Sequence, residues 1–146
     1  MTEKRVITFG CRLNAYESQV IEERLANHEE DLVVFNTCAV TKEAERQARK
    51  AIRKHHREHP NTRIVVTGCA AQIDPKGFAQ MPEVSQVLGN QDKFDKASYE
   101  SDESIVVTDI MEAKTVAGHL ITSFDGRSRA FIEIQNGCDH RCTFCT

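Results

Sequence analysis

The sequence has 146 residues, of which 40% are hydrophobic and 28% charged, with a formal net charge of -3 at pH 7. That length suits about one domain, with a core large enough to dispense with disulfide staples. The charge balance excludes a uniformly basic nucleic-acid binder, so any such role must rest on locally segregated charge.

No apolar run approaches the length of a membrane span. The opening Met1-Thr2-Glu3-Lys4-Arg5 leads into too short an apolar stretch for a secretory signal. A cytoplasmic protein with no membrane partner is expected. Cysteines in that compartment stay reduced and serve more often as metal ligands or catalysts than as bridges.

In chain order, four short apolar runs read as strands: Val6–Phe9, Leu32–Phe35, Ile64–Val66 and Val84–Leu88. The middle two are rich in Val and Ile without polar alternation, as buried parallel strands are. Helical patterns separate them. Val20, Ile21 and Leu25 recur at helical spacing, with Asn27 near the helix end. Ala44, Ala48, Ala51 and Ile52 form a narrow apolar stripe behind Thr41, a suitable N-cap, and Pro60-Asn61 breaks that helix. Pro75 is placed to start a short helix and Pro82 to end it, and Asn90–Ala97 reads as one more. The order β-α-β-α-β-α-β predicts an α/β fold with a mostly parallel sheet flanked by helices. Residues 98–128 read as a connector with a little structure, including an edge strand over Ile105–Ile110. Ala130–Ile134 is a further strand-like run, ending at Asn136-Gly137. No short repeat or low-complexity tract interrupts this pattern.

Six cysteines fall in two groups of three. Cys11, Cys38 and Cys69 are far apart in sequence, but each follows a predicted strand. The carboxyl ends of parallel strands share one edge, where open α/β folds build their ligand crevice. Neighbouring strands lie about 4.8 Å apart, so three such thiols can converge on one small object, with Gly10 and Gly68 allowing tight turns beside them. An iron–sulfur centre suits such a cluster of thiolates. Three unrelated buried cysteines are the bland alternative. Structural zinc is another, but it normally takes four protein ligands, and His28, His55, His56 and His59 lack a telling spacing for the fourth.

The second group, Cys138, Cys142 and Cys145, has the spacing C-x3-C-x2-C in one compact loop after a strand and a glycine. Three thiolates on a four-iron cluster leave one iron open to a small molecule, as open catalytic metal sites do. This is the radical-SAM spacing. The competing reading is a zinc site completed by His140 or a remote ligand.

These motifs resemble the methylthiotransferases of the radical-SAM superfamily. Gly10-Cys11-Arg12-Leu13-Asn14 with Glu17-Ser18, Asn36-Thr37-Cys38-Ala39-Val40, and Thr67-Gly68-Cys69-Ala70-Ala71-Gln72 resemble that family's first three motifs. Ile134-Gln135-Asn136-Gly137-Cys138, with Cys142 and Cys145, resembles the start of its barrel. The likeness is strongest to the branch that acts on threonylcarbamoyladenosine in tRNA, through Cys11-Arg12-Leu13-Asn14, the basic stretch after Val40-Thr41, and Arg127-Ser128-Arg129.

The resemblance implies a methylthiotransferase N-terminal domain over residues 1–122 and the start of a truncated radical-SAM barrel over 123–146. It implies two [4Fe-4S] clusters, an auxiliary one on Cys11, Cys38 and Cys69 and a radical-SAM one on Cys138, Cys142 and Cys145. S-adenosyl-L-methionine (SAM), tRNA and an electron donor of unknown identity are the implied partners. The reaction would methylthiolate C2 of N6-threonylcarbamoyladenosine beside the anticodon, starting from a 5′-deoxyadenosyl radical. The remaining barrel and a C-terminal RNA-binding domain would lie outside these 146 residues, which alone are expected to be inactive. Residues 123–146 are expected to be poorly packed or to borrow a neighbouring edge. A non-catalytic iron–sulfur or zinc module with a redox or partner-binding role is the alternative function.

Arg46, Arg49, Lys50, Arg53, Lys54 and Arg57, with Lys42, share one predicted helix, and this helix could meet tRNA phosphates. A solvated helix face, with Glu45 and Arg49 as an ordinary i,i+4 pair, is the competing reading. Arg127 and Arg129 could also reach RNA. Aromatic residues are too few to suggest a stacking platform.

Overall fold

The computed structural model describes residues 6–109 together with 112, 129, 134, 135, 140, 142 and 143. Among the described residues, five parallel strands form one sheet in the order β1-β2-β3-β4-β5: Val6–Thr8, Leu32–Thr37, Arg63–Gly68, Gln86–Leu88 and Ile105–Val106. The expected α/β architecture is therefore present. β2 and β3 are the longest strands, and apart from Arg63 at the start of β3 every residue in them is buried. Burial on both faces explains why they carry unbroken apolar runs.

Side chains that alternate across the pleat divide the core into two layers. On one face, Leu32, Val34, Val65 and Leu88 pack with Tyr16, Val20, Ile21 and Leu25 of the first helical segment and with Phe94 and Tyr99. On the other, Val33, Phe35, Ile64, Val66 and Val87 pack with Ile52, Ala70, Ala71 and Phe78.

The helices follow from local signals. α1, Arg12–Arg24, buries the predicted Val20 and Ile21, and Leu25 caps its end. α2, Lys42–Glu58, begins as expected at Thr41, whose side chain accepts a hydrogen bond from Ala44 N at 3.1 Å, and it stops at His59 before Pro60. α3 is Cys69–Ile73. α4, Pro75–Ala79, has Pro75 in its first turn and Asp74 as its cap, with Asp74 Oδ1 accepting from Gly77 N at 3.0 Å.

Two expectations are corrected. Asn90–Ala97 is not one helix: it holds a single 3-10 turn, Asp92–Phe94, and Asp95 then caps a new helix, α5, at Lys96–Glu100. An Asp side chain that accepts a nearby backbone N–H, here Ala97 N at 3.0 Å, favours a cap over a helix interior. In residues 98–128, α5 runs on to Glu100, and the expected edge strand is present as β5 but, among the described residues, covers only Ile105–Val106 of Ile105–Ile110. Within the predicted run Ala130–Ile134 only Ile134 is described, and it is exposed; the other four residues lie outside the described residues, as do Arg127 and most of 110–128. Among the described residues, no helix is long and apolar enough to cross a membrane.

Candidate metal centre at the carboxyl edge of the sheet

Cys11, Cys38 and Cys69 each stand just past the end of one of three adjacent strands. The register pairs Thr8 with Asn36, Asn36 with Thr67, and Thr37 with Gly68, so the three loops leave the sheet side by side. Cys11 is exposed and caps α1; its carbonyl accepts from Ala15 N at 3.2 Å. Cys38 is buried, and its Sγ accepts from Val40 N at 3.5 Å. Cys69 is half-buried and opens α3. All three are free thiols.

The two glycines of the motifs are structural necessities. Gly10 has φ +90° and Gly68 φ +97°, left-handed values that other residues rarely adopt. A Cβ on Gly10 would strike the Cβ and Sγ of Cys38, so the missing side chain is what lets the Cys38 thiol lie over the β1 turn. A Cβ on Gly68 would strike the backbone of Thr37.

The polar residues of the motifs lock these loops to one another. Asn14 Nδ2 donates to Phe9 O at 2.9 Å and Thr37 O at 2.8 Å, joining the loops of Cys11 and Cys38. Asn36 Nδ2 donates to Asn14 O and Ser18 Oγ. Thr37 Oγ1 donates to Thr67 O at 2.6 Å and accepts from Ala71 N at 3.3 Å, joining the loops of Cys38 and Cys69. Gln72 Oε1 accepts from Asn90 N at 2.8 Å and ties in the loop after β4.

Behind Cys69 lies a buried ion pair that the sequence pattern did not reveal. Lys93 Nζ donates to Glu17 Oε2 at 2.5 Å and to Asn90 Oδ1 at 3.0 Å, and the Lys93 side chain is completely buried. Asn90 Nδ2 in turn approaches Cys69 Sγ at 3.8 Å. Burial pushes the Cys69 thiol above its ordinary pKa, while Lys93 and the Asn90 amide pull it down and Glu17 and Cys38 push it up. Glu17 was legible in principle: it falls on the same helical face as Val20 and Ile21, an uncommon position for a charge that lacks a partner.

The expected convergence is met only in part. Among the described residues, no three His, Cys, Asp or Glu side chains are grouped closely enough to hold a metal ion. The thiols share one edge without sharing a coordination sphere in this conformation. The fit to a thiolate-held cluster therefore rests on backbone placement, on the Gly10 and Gly68 turns and on the softness of the donors. The histidines considered as zinc ligands stand apart. α1 and α2 run back from the cysteine edge, leaving His28 beyond the far end of α1 and His55, His56 and His59 at the far end of α2. His55 packs edge-on against Phe35 at 5.9 Å and lies 4.8 Å from His59. In the second cysteine group Cys142 is exposed, and Cys138 and Cys145 lie outside the described residues.

On α2, Arg46, Lys50, Arg53, Lys54 and Arg57 are all exposed, on the side opposite buried Ala48 and Ile52. Arg46 pairs with Glu43 at 2.8 Å and Lys54 with Glu58 at 3.9 Å. Arg49 differs from the others. It bonds Glu45 as expected and also Gly77 O and Asp74, and its guanidinium lies 4.1 Å from the centre of the Phe78 ring. Arg49 thus tethers α4 to α2.

Residues 4–89 match the model of a family described as Uncharacterized protein family UPF0004. The chain is 53% identical over 144 residues to the "Threonylcarbamoyladenosine tRNA methylthiotransferase MtaB" of Rickettsia prowazekii (strain Madrid E), covering 97% of this chain and 34% of that one. It is 35% identical over 153 residues to the protein of the same name from Bacillus subtilis (strain 168), covering 94% and 34%. It is 31% identical over 163 residues to the "tRNA-2-methylthio-N(6)-dimethylallyladenosine synthase" of Bifidobacterium adolescentis, covering 96% and 34%. The chain spans about a third of the length of these curated relatives.

Proposed function

Because the chain belongs to Uncharacterized protein family UPF0004, we propose that it is the N-terminal part of a cytoplasmic radical-SAM tRNA methylthiotransferase. Its target would be C2 of N6-threonylcarbamoyladenosine beside the anticodon. The observation that carries the reading is the row of Cys11, Cys38 and Cys69 at one carboxyl edge, each closing one of three neighbouring parallel strands. Soft thiolates at one sheet edge suit an iron–sulfur cluster among the metals they select. The names of the relatives support the choice of reaction and nucleoside.

In this reading residues 1–122 form the domain that holds an auxiliary [4Fe-4S] cluster on Cys11, Cys38 and Cys69. Residues 123–146 begin the barrel, where Cys138, Cys142 and Cys145 hold a second cluster. When bound, the clusters and SAM would supply the radical that removes hydrogen from the base and the sulfur and methyl group that replace it, with an external donor providing electrons. The chain's own residues place the parts. Asn14, Asn36 and Thr37 fix the three cysteine loops relative to one another, and Gly10 and Gly68 let those loops turn. The exposed Arg46, Lys50, Arg53, Lys54 and Arg57 would meet tRNA phosphates, with Arg49 holding α2 against α4.

Anaerobic reconstitution of the chain with iron and sulfide tests this reading. Two four-iron clusters, about eight irons per chain, are expected. One is lost when Cys11, Cys38 and Cys69 are replaced by Ala, and the other when Cys138, Cys142 and Cys145 are. Zinc without sulfide, or no metal at all, would overturn the assignment.

A further inference from the structure

Cys69 differs from the other two thiols of its row in having a side-chain amide and a buried cation behind it. Asn90 Nδ2 lies 3.8 Å from Cys69 Sγ, and Asn90 is held at its side-chain oxygen and at its backbone N–H. Its Oδ1 accepts from Lys93 Nζ at 3.0 Å, its backbone N–H donates to Gln72 Oε1 at 2.8 Å, and Gln72 Nε2 donates onward to Thr108 O at 3.1 Å. An ammonium can only donate, so Lys93 fixes which end of the amide is the oxygen and turns the N–H end towards sulfur. Lys93 is itself held by Glu17, on the helix that Cys11 caps. The chain Glu17–Lys93–Asn90 thus runs from the helix behind one cysteine of the row to the sulfur of another.

We propose that Asn90, oriented by Lys93, is a positioning residue that donates a hydrogen bond to the Cys69 sulfur and thereby sets the reduction potential of the cluster bound there. The inference rests on the proposed function, since it concerns a ligand of that cluster. Hydrogen bonds to ligand sulfur and local charge are the protein's main controls on cluster potential. A donor at sulfur and a nearby cation both favour the reduced, more negative state. Burial of the Lys93–Glu17 pair is costly unless its geometry is well satisfied, which is consistent with a pair retained for orientation more than for stability.

The test uses the chain with Cys138, Cys142 and Cys145 replaced by Ala, so that only the Cys11, Cys38 and Cys69 cluster can form, and reads its midpoint by EPR-monitored redox titration. Asn90→Asp keeps the acceptor for Lys93 but removes the donor and adds negative charge. Its midpoint is expected to move negative by about tenfold in the reduction equilibrium, ~59 mV for one electron. Asn90→Ala removes the donor alone and is expected to shift the midpoint in the same direction by less, with iron content kept in both variants. A parent chain that takes up no iron and sulfide overturns the cluster reading together with this proposal. Variants that load normally and keep the parent midpoint overturn this proposal alone. Variants that keep the parent's circular dichroism but lose the cluster also overturn it, because Asn90 would then serve assembly and not tuning.

Discussion

Replacing Lys93 by Met isolates the most unusual packing feature of the domain. The Lys93 side chain is 0% exposed and that of Glu17 7%, and their charged atoms lie 2.5 Å apart. Met is close in shape to the lysine stem, so little cavity is created and the loss is mainly electrostatic. It leaves the Glu17 carboxylate buried without its cation, a change that typically costs about 3–5 kcal/mol. For a chain of this length each kcal/mol lowers the melting temperature by about 2–4 °C, so a fall of at least ~6 °C is expected. Replacing Glu17 by Met as well removes the stranded charge. The double variant should recover most of the loss and retain a deficit of about 1 kcal/mol for Asn90 Oδ1, which loses its donor. Urea unfolding with an unchanged m-value is the assay. Lys54→Met is the control, since Lys54 and Glu58 are 3.9 Å apart and 67% and 54% exposed, and it should change stability by under ~0.5 kcal/mol. A Lys93→Met loss no larger than the control's, or a double variant that loses the sum of the two single changes, would refute the reasoning.

Other expectations are open to similar measurement. Gly68→Ala should destabilise the domain by about 1–3 kcal/mol from its positive-φ, extended-ψ backbone alone, and by more because the new Cβ meets the Thr37 backbone; denaturant melts read this directly. Tyr99 is buried with its hydroxyl donating to Lys93 O at 2.6 Å, and burial raises its pKa above the ordinary 10.0. The folded state therefore holds the phenol proton more tightly than the unfolded one. Its contribution is complete below pH 10 and is lost as pH rises further, so Tyr99→Phe should flatten the alkaline fall in stability above pH 10. Reversing charge with Arg53→Glu and Arg57→Glu should weaken tRNA binding across sequences and make its dependence on salt less steep, by about one unit of slope for each phosphate no longer engaged. Unchanged binding would assign the stripe to solvent.

Much of the fold could be read from the sequence because its signals are local. The unbroken Val and Ile runs of β2 and β3, the Thr41 cap and the Pro60 stop each depend on a few adjacent residues. The segment after Asn90 departs from a single helix because Asp95 accepts from Ala97 N and caps a new helix, a side-chain bond that spacing does not reveal. Of the candidate site, the cysteine row and the turn glycines were legible from motif position after each strand. The roles of Asn14, Asn36 and Thr37 were not, since all their partners but Phe9 lie 18 to 34 residues away in sequence. Lys93 was hidden for the same reason: its partner Glu17 is 76 residues distant, and a lysine in a polar stretch ordinarily reads as surface.

The most direct test of the whole account is cluster content in a chain whose only cysteines are Cys11, Cys38 and Cys69. One four-iron cluster is expected, with iron and sulfide in equal amounts, and its loss or collapse when any one of the three is changed to Ser. A cluster that survives each single replacement, or a chain that binds zinc in place of iron and sulfide, would contradict it.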